Sequence, residues 1–380
     1  MTLTTDDTAT TTMKAVVLQN GNLTLSDLPI PQPGPGEALV RVLATGICGS
    51  DLHCRAHTGE LLDATEMATG TALFEADAQI VMGHEFCAEV VSYGPSSKAS
   101  LPPGSRVASP GLLLRDPLRL IGYAGPDIPG GYAQYMLLSE DLMFPVPDNL
   151  SDEVAALAEP MTVALHAVNR GNVGADDVPL VIGCGPVGLA VIAVLKMRGY
   201  GPIVAADLSP TRRALATTLG ADIVVDPRVT SPYDAWREAA RTDDPARLAP
   251  PNLMIPGDFR PQVIFECVGV PDLMAQVFAG AIGSAKVVVA GVCMQPDTFH
   301  PTVASIKEID LVYAFAFSPE EYGEVLEHLA SGALQVAPLI TSTITLDDVA
   351  DAFDRLADPE RDAKIVVRPN GSATLTGVPR

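Results

Sequence analysis

Two groups of residues in this 380-residue chain have the types and spacing to do chemistry. The first lies in the N-terminal half. GICGSDLH, Gly46 to His53, supplies Cys48, Asp51 and His53, and GHEF, Gly83 to Phe86, supplies His84 and Glu85. Glu159 stands farther on, just before Pro160. Thiolate, imidazole and carboxylate are all zinc ligands, and a mixed set suits a Lewis acid with an exchangeable water better than a closed structural site. Each residue alone has a plainer reading. Cys48 fits a small buried hydrophobe, His84 a core histidine bonded to a carbonyl, and Glu159 a carboxylate on a helix surface. The second group is a glycine turn. The apolar run Leu180 to Ile182 leads into Gly183, Gly185 and Gly188 at GxGxxG spacing, with Pro186 and Val187 between them. A helical apolar stretch, Leu189 to Met197, follows, and the run Ile203 to Ala206 then ends on Asp207. Strand, turn, helix, strand and acid in that order make a dinucleotide site. Gly183 allows the tight turn, Gly185 the approach of a pyrophosphate, and Gly188 close packing of helix on strand. The helix N-terminus offers free N–H groups to the phosphates. Asp207 can accept from a ribose diol and would repel a 2′-phosphate, which favours NAD. A hydride carrier and a Lewis acid are the two parts an alcohol-oxidising site requires. Their joint presence outweighs the plainer readings.

The elements that must hold these groups differ between the two halves. From Met13 onward, apolar runs at Ala15–Leu18, Ala38–Leu43, Val81–Val91, Arg106–Ser109 and Tyr132–Leu138 are punctuated by Gly and Pro, which predicts a small antiparallel β domain. Near Ser151, a plausible N-cap, the texture turns helical. After Gly174, strand and helix signals alternate: Leu180–Ile182, Leu189–Met197, Ile203–Ala206, Arg212–Leu219, Ile223–Val225, Val263–Cys267 and Lys286–Ala290. That rhythm predicts a doubly wound parallel sheet. The Pro-rich stretch from Asp226 to Pro261, with the sole tryptophan Trp236, reads as a surface excursion with one helix. The stretch from Thr58 to Gln79 reads as a variable surface loop. From Pro319 to Val367 the chain returns to helix and strand and can fold back on the first domain.

Composition narrows the partners. With 24 basic and 46 acidic residues the net charge is −22, which argues against nucleic acid or an anionic membrane as a partner. The six cysteines are scattered with no CxxC, and no signal peptide is evident, so a reduced, cytoplasmic chain is expected. No apolar run approaches the length of a membrane span.

With these motifs in hand, the sequence resembles the zinc-dependent medium-chain dehydrogenase/reductase superfamily, the alcohol and polyol dehydrogenases. The pieces are GICGSDLH, GHEF, GGYAQY at Gly130–Tyr135, EPMTVALHAV at Glu159–Val168, IGCGPVGL at Ile182–Leu189, AADLSPTRR at Ala205–Arg213 and ECVG at Glu266–Gly269. The resemblance implies a GroES-like antiparallel β catalytic domain, residues 13–160 and 316–380, and a Rossmann NAD-binding domain, residues 161–315, after a flexible tail at 1–12. It implies zinc held by Cys48, His84 and Glu159, the last directly or through a water, with Asp51 hydrogen-bonded to His84 behind it. Glu85 resembles the neighbouring acid that approaches zinc transiently, and Ser50 and His53 match the proton relay. Gly183, Gly185, Pro186, Val187, Gly188 and Asp207 would bind the cofactor. Arg212 would flank the adenosine ribose, Val268 and Val292 would line the cofactor cleft, and Lys364 would reach the pyrophosphate. A small-molecule alcohol or carbonyl substrate and a homodimer or homotetramer are expected. One departure is clear. Many members carry a four-cysteine structural zinc lobe after GHE, and the corresponding stretch here, Gly104 to Tyr135, has no cysteine, so one catalytic zinc per chain and no structural zinc are expected. Two rivals remain on the sequence: a metal-free NADP-dependent quinone or enoyl reductase of the same fold, and a cofactor-binding protein without chemistry.

Overall fold

The fold was analysed as a computed structural model, which describes residues 11–250, 252 and 257–371. Two sheets organise it. One has six strands, all pairings parallel, in the order Ile223–Val225, Val204–Ala206, Val178–Ile182, Gln262–Glu266, Lys286–Val289, Asp310–Tyr313. Val178–Ile182 comes first in the chain yet sits inside the sheet. Its successors depart to opposite sides, which opens a crevice at the carboxyl ends of Val178–Ile182 and Gln262–Glu266. Every residue of these two strands is buried, as expected for a parallel sheet covered on both faces.

The other sheet has seven strands. Its path runs Ile340–Ile344, Lys364–Val367, Glu37–Gly46, Glu85–Tyr93, Arg106–Ala108, Phe144–Pro145, and Tyr135–Ser139 also pairs with Glu37–Gly46. The C-terminal stretch therefore does fold back: Val366 pairs with Gly46, and Gly46 with Glu85 on its other side. Helix Ala158–Gly171 bridges the two units. It packs against the glycine-turn helix Pro186–Met197 and against helix Pro319–Ser331, within one apolar core shared by both sheets.

Three expectations change. Thr58–Thr69 is an α-helix, closed by Gly70 in the left-handed conformation (φ 82°), rather than a loop. The stretch after Asp226 is not wholly a surface excursion. Its helix, Pro232–Ala240, packs on the parallel sheet, and Trp236 is fully buried with its Nε1 donating to the Val178 carbonyl at 2.7 Å. Thr12 already belongs to the first strand, Thr12–Gln19, so a tail up to residue 12 is too long; residues 1–10 lie outside the described residues.

Candidate active site

Sheet register brings the metal-type donors together. Glu85 opens its strand opposite Gly46, and two residues beyond Gly46 stands Cys48, preceding helix Gly49–Ala56. His84 is held from behind. Gly83 has φ 97°, and its neighbours are stitched to the GGYAQY segment by Gly130 N–H to Val81 O (2.8 Å), Gly131 N–H to Gly83 O (2.7 Å) and Tyr132 N–H to Met82 O (2.9 Å). One ligand atom each from Cys48, His84 and Glu85 lie within 4.8 Å of one another. Glu159 stands on the first turn of helix Ala158–Gly171 and is absent from that trio among the described residues. Its charge nonetheless acts on His84. Burial disfavours a charged His84, yet Asp51, Cys48 and Glu159 raise its pKa well above the ordinary value. Burial pushes Glu159 up to about 7, against the pull of His84 and Lys364. A thiol, an imidazole and carboxylates gathered so that each favours a nearby positive charge fit a zinc ion.

Behind these donors sits Asp51, fully buried. Its Oδ2 accepts from Cys48 N–H at 3.0 Å, which caps the helix, and from the Tyr132 hydroxyl at 2.6 Å. Its Oδ1 faces His84 Nδ1 at 3.5 Å, but the expected hydrogen bond is not formed, and Nδ1 is buried without a partner among the described residues. The carboxylate acts there through its charge, which favours a proton on Nδ1 and Nε2 as the metal-facing nitrogen. Ser50 Oγ lies 3.4 Å from that Nε2. His53 is one turn farther along the same helix, half-buried, and its pKa is lowered by burial and by the charge of His57. Its ring centroid is 6.3 Å from that of His57.

The glycine turn has the shape a pyrophosphate needs. Gly183 has φ 89°, and a side chain on Gly188 would run into the Gly183 carbonyl. At Gly185 nothing lies closer than Arg212 Nη1, 3.9 Å from where a Cβ would stand. Pro186 and Val187 open the helix, with Gly185 as its N-cap. Asp207 is fixed beside them: Oδ2 accepts from Cys184 N–H at 2.7 Å and Oδ1 from Ser209 N–H at 2.8 Å. Arg213 donates to the Asp207 and Leu208 carbonyls, whereas the Arg212 Nε is buried with no hydrogen-bond partner among the described residues. Val268 and Val292, 40% and 41% exposed beyond their strands, leave apolar surface beside the turn.

Lys364 is placed differently from its expected part. Its ammonium donates to both Glu85 oxygens at 2.7 Å and to the Ile47 carbonyl at 3.0 Å, and the residue is 1% exposed. A buried ammonium takes the nearest buried carboxylate because an unpaired charge there is costly, so Lys364 serves Glu85 beside the seven-stranded sheet in this structure rather than a pyrophosphate. Two tyrosines were missed. Tyr132 lies in the GGYAQY motif, which flagged the segment but not the role of its hydroxyl. Tyr123 has no sequence signal, and only folding brings it to Ser50 and Asp51. Where a structural zinc lobe would stand, Leu112–Leu113 and Arg119–Leu120 pair as a short hairpin. Arg115 Nε and Nη2 anchor the loop between them to Glu37 at 2.6 and 2.9 Å.

Comparisons with known proteins agree across both units. Residues 34–148 match the alcohol dehydrogenase GroES-like domain, and residues 186–331 match the zinc-binding dehydrogenase family. The chain is 32% identical to a (R,R)-butanediol dehydrogenase of Bacillus subtilis, over 94% of this chain and 100% of that protein. It is 30% identical to a sorbitol dehydrogenase of Rattus norvegicus, over 90% and 92% of the two chains. A crystal structure from Sinorhizobium meliloti, described as a zinc-binding dehydrogenase bound to NADP, superposes with a TM-score of 0.76 at 27% identity, covering 94% of this chain and 99% of its own.

Proposed function

The chain belongs to the zinc-dependent alcohol and polyol dehydrogenases, and from that premise we propose that it oxidises secondary alcohols or vicinal diols to ketones, or the reverse, with NAD as hydride carrier. It is an oxidoreductase acting at an alcohol carbon. The relatives named as butanediol and sorbitol dehydrogenases support the diol class. The single observation that carries the reading is the convergence of Cys48, His84 and Glu85 ligand atoms within 4.8 Å. A metal-free reductase has no use for that convergence.

Cys48 and His84 would hold the zinc, with Glu85 or Glu159 as the carboxylate partner. Zinc supplies a Lewis acid that makes an alcohol acidic near neutral pH, and NAD supplies the hydride acceptor. The chain's own residues do the rest. Asp51 sets the His84 tautomer and orientation. We assign Ser50 Oγ to accept the alcohol proton as it releases its own, and His53, one turn farther along the same helix, to carry a proton on toward solvent. Lys364 holds the Glu85 carboxylate in place.

Asp207 supports NAD: its oxygens are oriented by two backbone N–H groups, and a carboxylate there repels a 2′-phosphate. We place Arg212 beside the adenosine ribose, with Val268 and Val292 along the cofactor. One zinc per chain, a homodimer or homotetramer and a cytoplasmic setting complete the proposal; no helix among the described residues is long and apolar enough to cross a membrane. The test is a panel of diols, polyols and simple alcohols assayed with NAD and with NADP, before and after chelation. The reading expects NAD-linked oxidation of a secondary alcohol or diol that chelation abolishes. NADP preference would overturn the cofactor assignment, and chelator-resistant turnover would overturn the metal.

A further inference from the structure

Tyr123 stands at the centre of the polar network, and neither the ligand motifs nor the glycine turn asks for it. Its hydroxyl lies 2.9 Å from Ser50 Oγ and 3.2 Å from Asp51 Oδ1. Its ring lies against His84, with centroids 5.4 Å apart and planes tilted by 39°. The loop carrying it is fixed. Ile121 N–H donates to the Gly111 carbonyl at 2.9 Å, and Gly122, at φ 88°, packs on the Gly83 backbone.

A phenol has one proton to donate and an oxygen that accepts. Asp51 Oδ2 already receives Tyr132 and the Cys48 N–H, and its Oδ1, the oxygen nearer Tyr123, also faces His84 Nδ1 at 3.5 Å. Ser50 is the nearer acceptor for Tyr123. We propose that Tyr123 is a positioning residue for this chemistry: its hydroxyl donates to Ser50 Oγ and fixes the direction in which Ser50 holds its own proton. With one Ser50 lone pair taken by Tyr123, the other is left for the alcohol, and the O–H, which has His84 Nε2 at 3.4 Å, turns onward along the relay once a metal takes that nitrogen. Without that bond the hydroxyl rotates freely, and only a fraction of its orientations serves proton transfer. The inference rests on Ser50 acting in the relay, as read above.

The experiment is a double-mutant cycle on the zinc-loaded enzyme with Tyr123→Phe, Ser50→Ala and the pair, joined to zinc affinity by chelator competition. Loss of one positioning hydrogen bond is expected to lower kcat about tenfold, with the alcohol KM little changed. Zinc affinity is expected to stay at the wild-type value, because the ring against His84 remains. In the Ser50→Ala background the same substitution is expected to cost nothing further. An equal cost in both backgrounds, no cost in the wild type, or weakened zinc binding would each overturn the role. If Ser50→Ala itself retained wild-type kcat, the relay would fall and Tyr123's role with it, and that result is distinct from the others. Should Tyr123→Phe fail to fold, Tyr123→Leu is measured in its place for kcat in both Ser50 backgrounds with the same expected outcomes, the zinc comparison being dropped because that substitution also removes the ring beside His84.

Discussion

Lys364 and Glu85 form an ion pair whose side chains are 2% and 0% exposed. Burial works against the charged lysine, and Glu85 together with the charges of Cys48 and Glu159 outweighs it, so the Lys364 pKa is raised above 10.5. Its contribution to stability is therefore full at neutral pH and is lost only as pH rises through that raised value. Lys364→Met strands the Glu85 charge and is expected to cost roughly 3–5 kcal/mol, read as a lower urea midpoint. A midpoint equal to wild type would show that the pair is not formed. Asp207→Ala removes the group that selects against a 2′-phosphate. The ratio of kcat/KM for NAD over NADP is expected to fall by about tenfold or more; an unchanged ratio would remove the basis for NAD. His57→Gln removes the charge that, after burial, lowers the His53 pKa. The His53 resonance in an NMR titration is expected to move up toward the ordinary histidine value, and an unmoved midpoint would leave burial as the sole cause. Cys48, His84, Glu85 and Asp51 were legible because the chemistry needs their types at short spacing. Tyr123 and the partner of Lys364 were not, because both depend on contacts between residues far apart in the chain.

The glycine turn and its helix are the element that the sequence describes best. Local geometry explains why: Gly183 needs φ 89°, and Gly188 has the Gly183 carbonyl where a side chain would go. Gly188→Ala must therefore push helix Pro186–Met197 away from strand Val178–Ile182. It is expected to raise the NAD KM at least about tenfold and lower the melting temperature, and a variant with wild-type values of both would refute the close packing. Helices without such signatures were harder to read. Thr58–Thr69 buries only Leu62, so its apolar periodicity is faint and it passed for a loop. Helix Pro232–Ala240 was placed at the surface because prolines surround it. Yet Ser231 caps it, Pro232 begins it, and Trp236 fills the space beside Val178–Ile182. Packing, which periodicity alone does not reveal, decided its place.

Across the whole molecule, two units meet along helix Ala158–Gly171, which carries Glu159 at one end and packs along the cofactor-turn helix. Further ties cross between them: Thr211 Oγ1 donates to Glu360 at 2.9 Å and Ser209 Oγ to the Pro359 carbonyl at 3.1 Å, both near Asp207. The βαβ rhythm and the β-rich opening half made both architectures readable from the chain. The return of Lys364–Val367 to the seven-stranded sheet was foreseen only in outline, since strand order is set by pairing between distant segments. The proposed function sets a metal-assisted alcohol site in one unit against a hydride carrier held by the other. The zinc content of purified wild-type and Cys48→Ala protein measures that claim most directly. The account predicts about one zinc per chain in the wild type and essentially none in the variant, with NAD-linked alcohol oxidation lost alongside it. A wild type without zinc, or a Cys48→Ala protein that keeps its zinc and its activity, would contradict it.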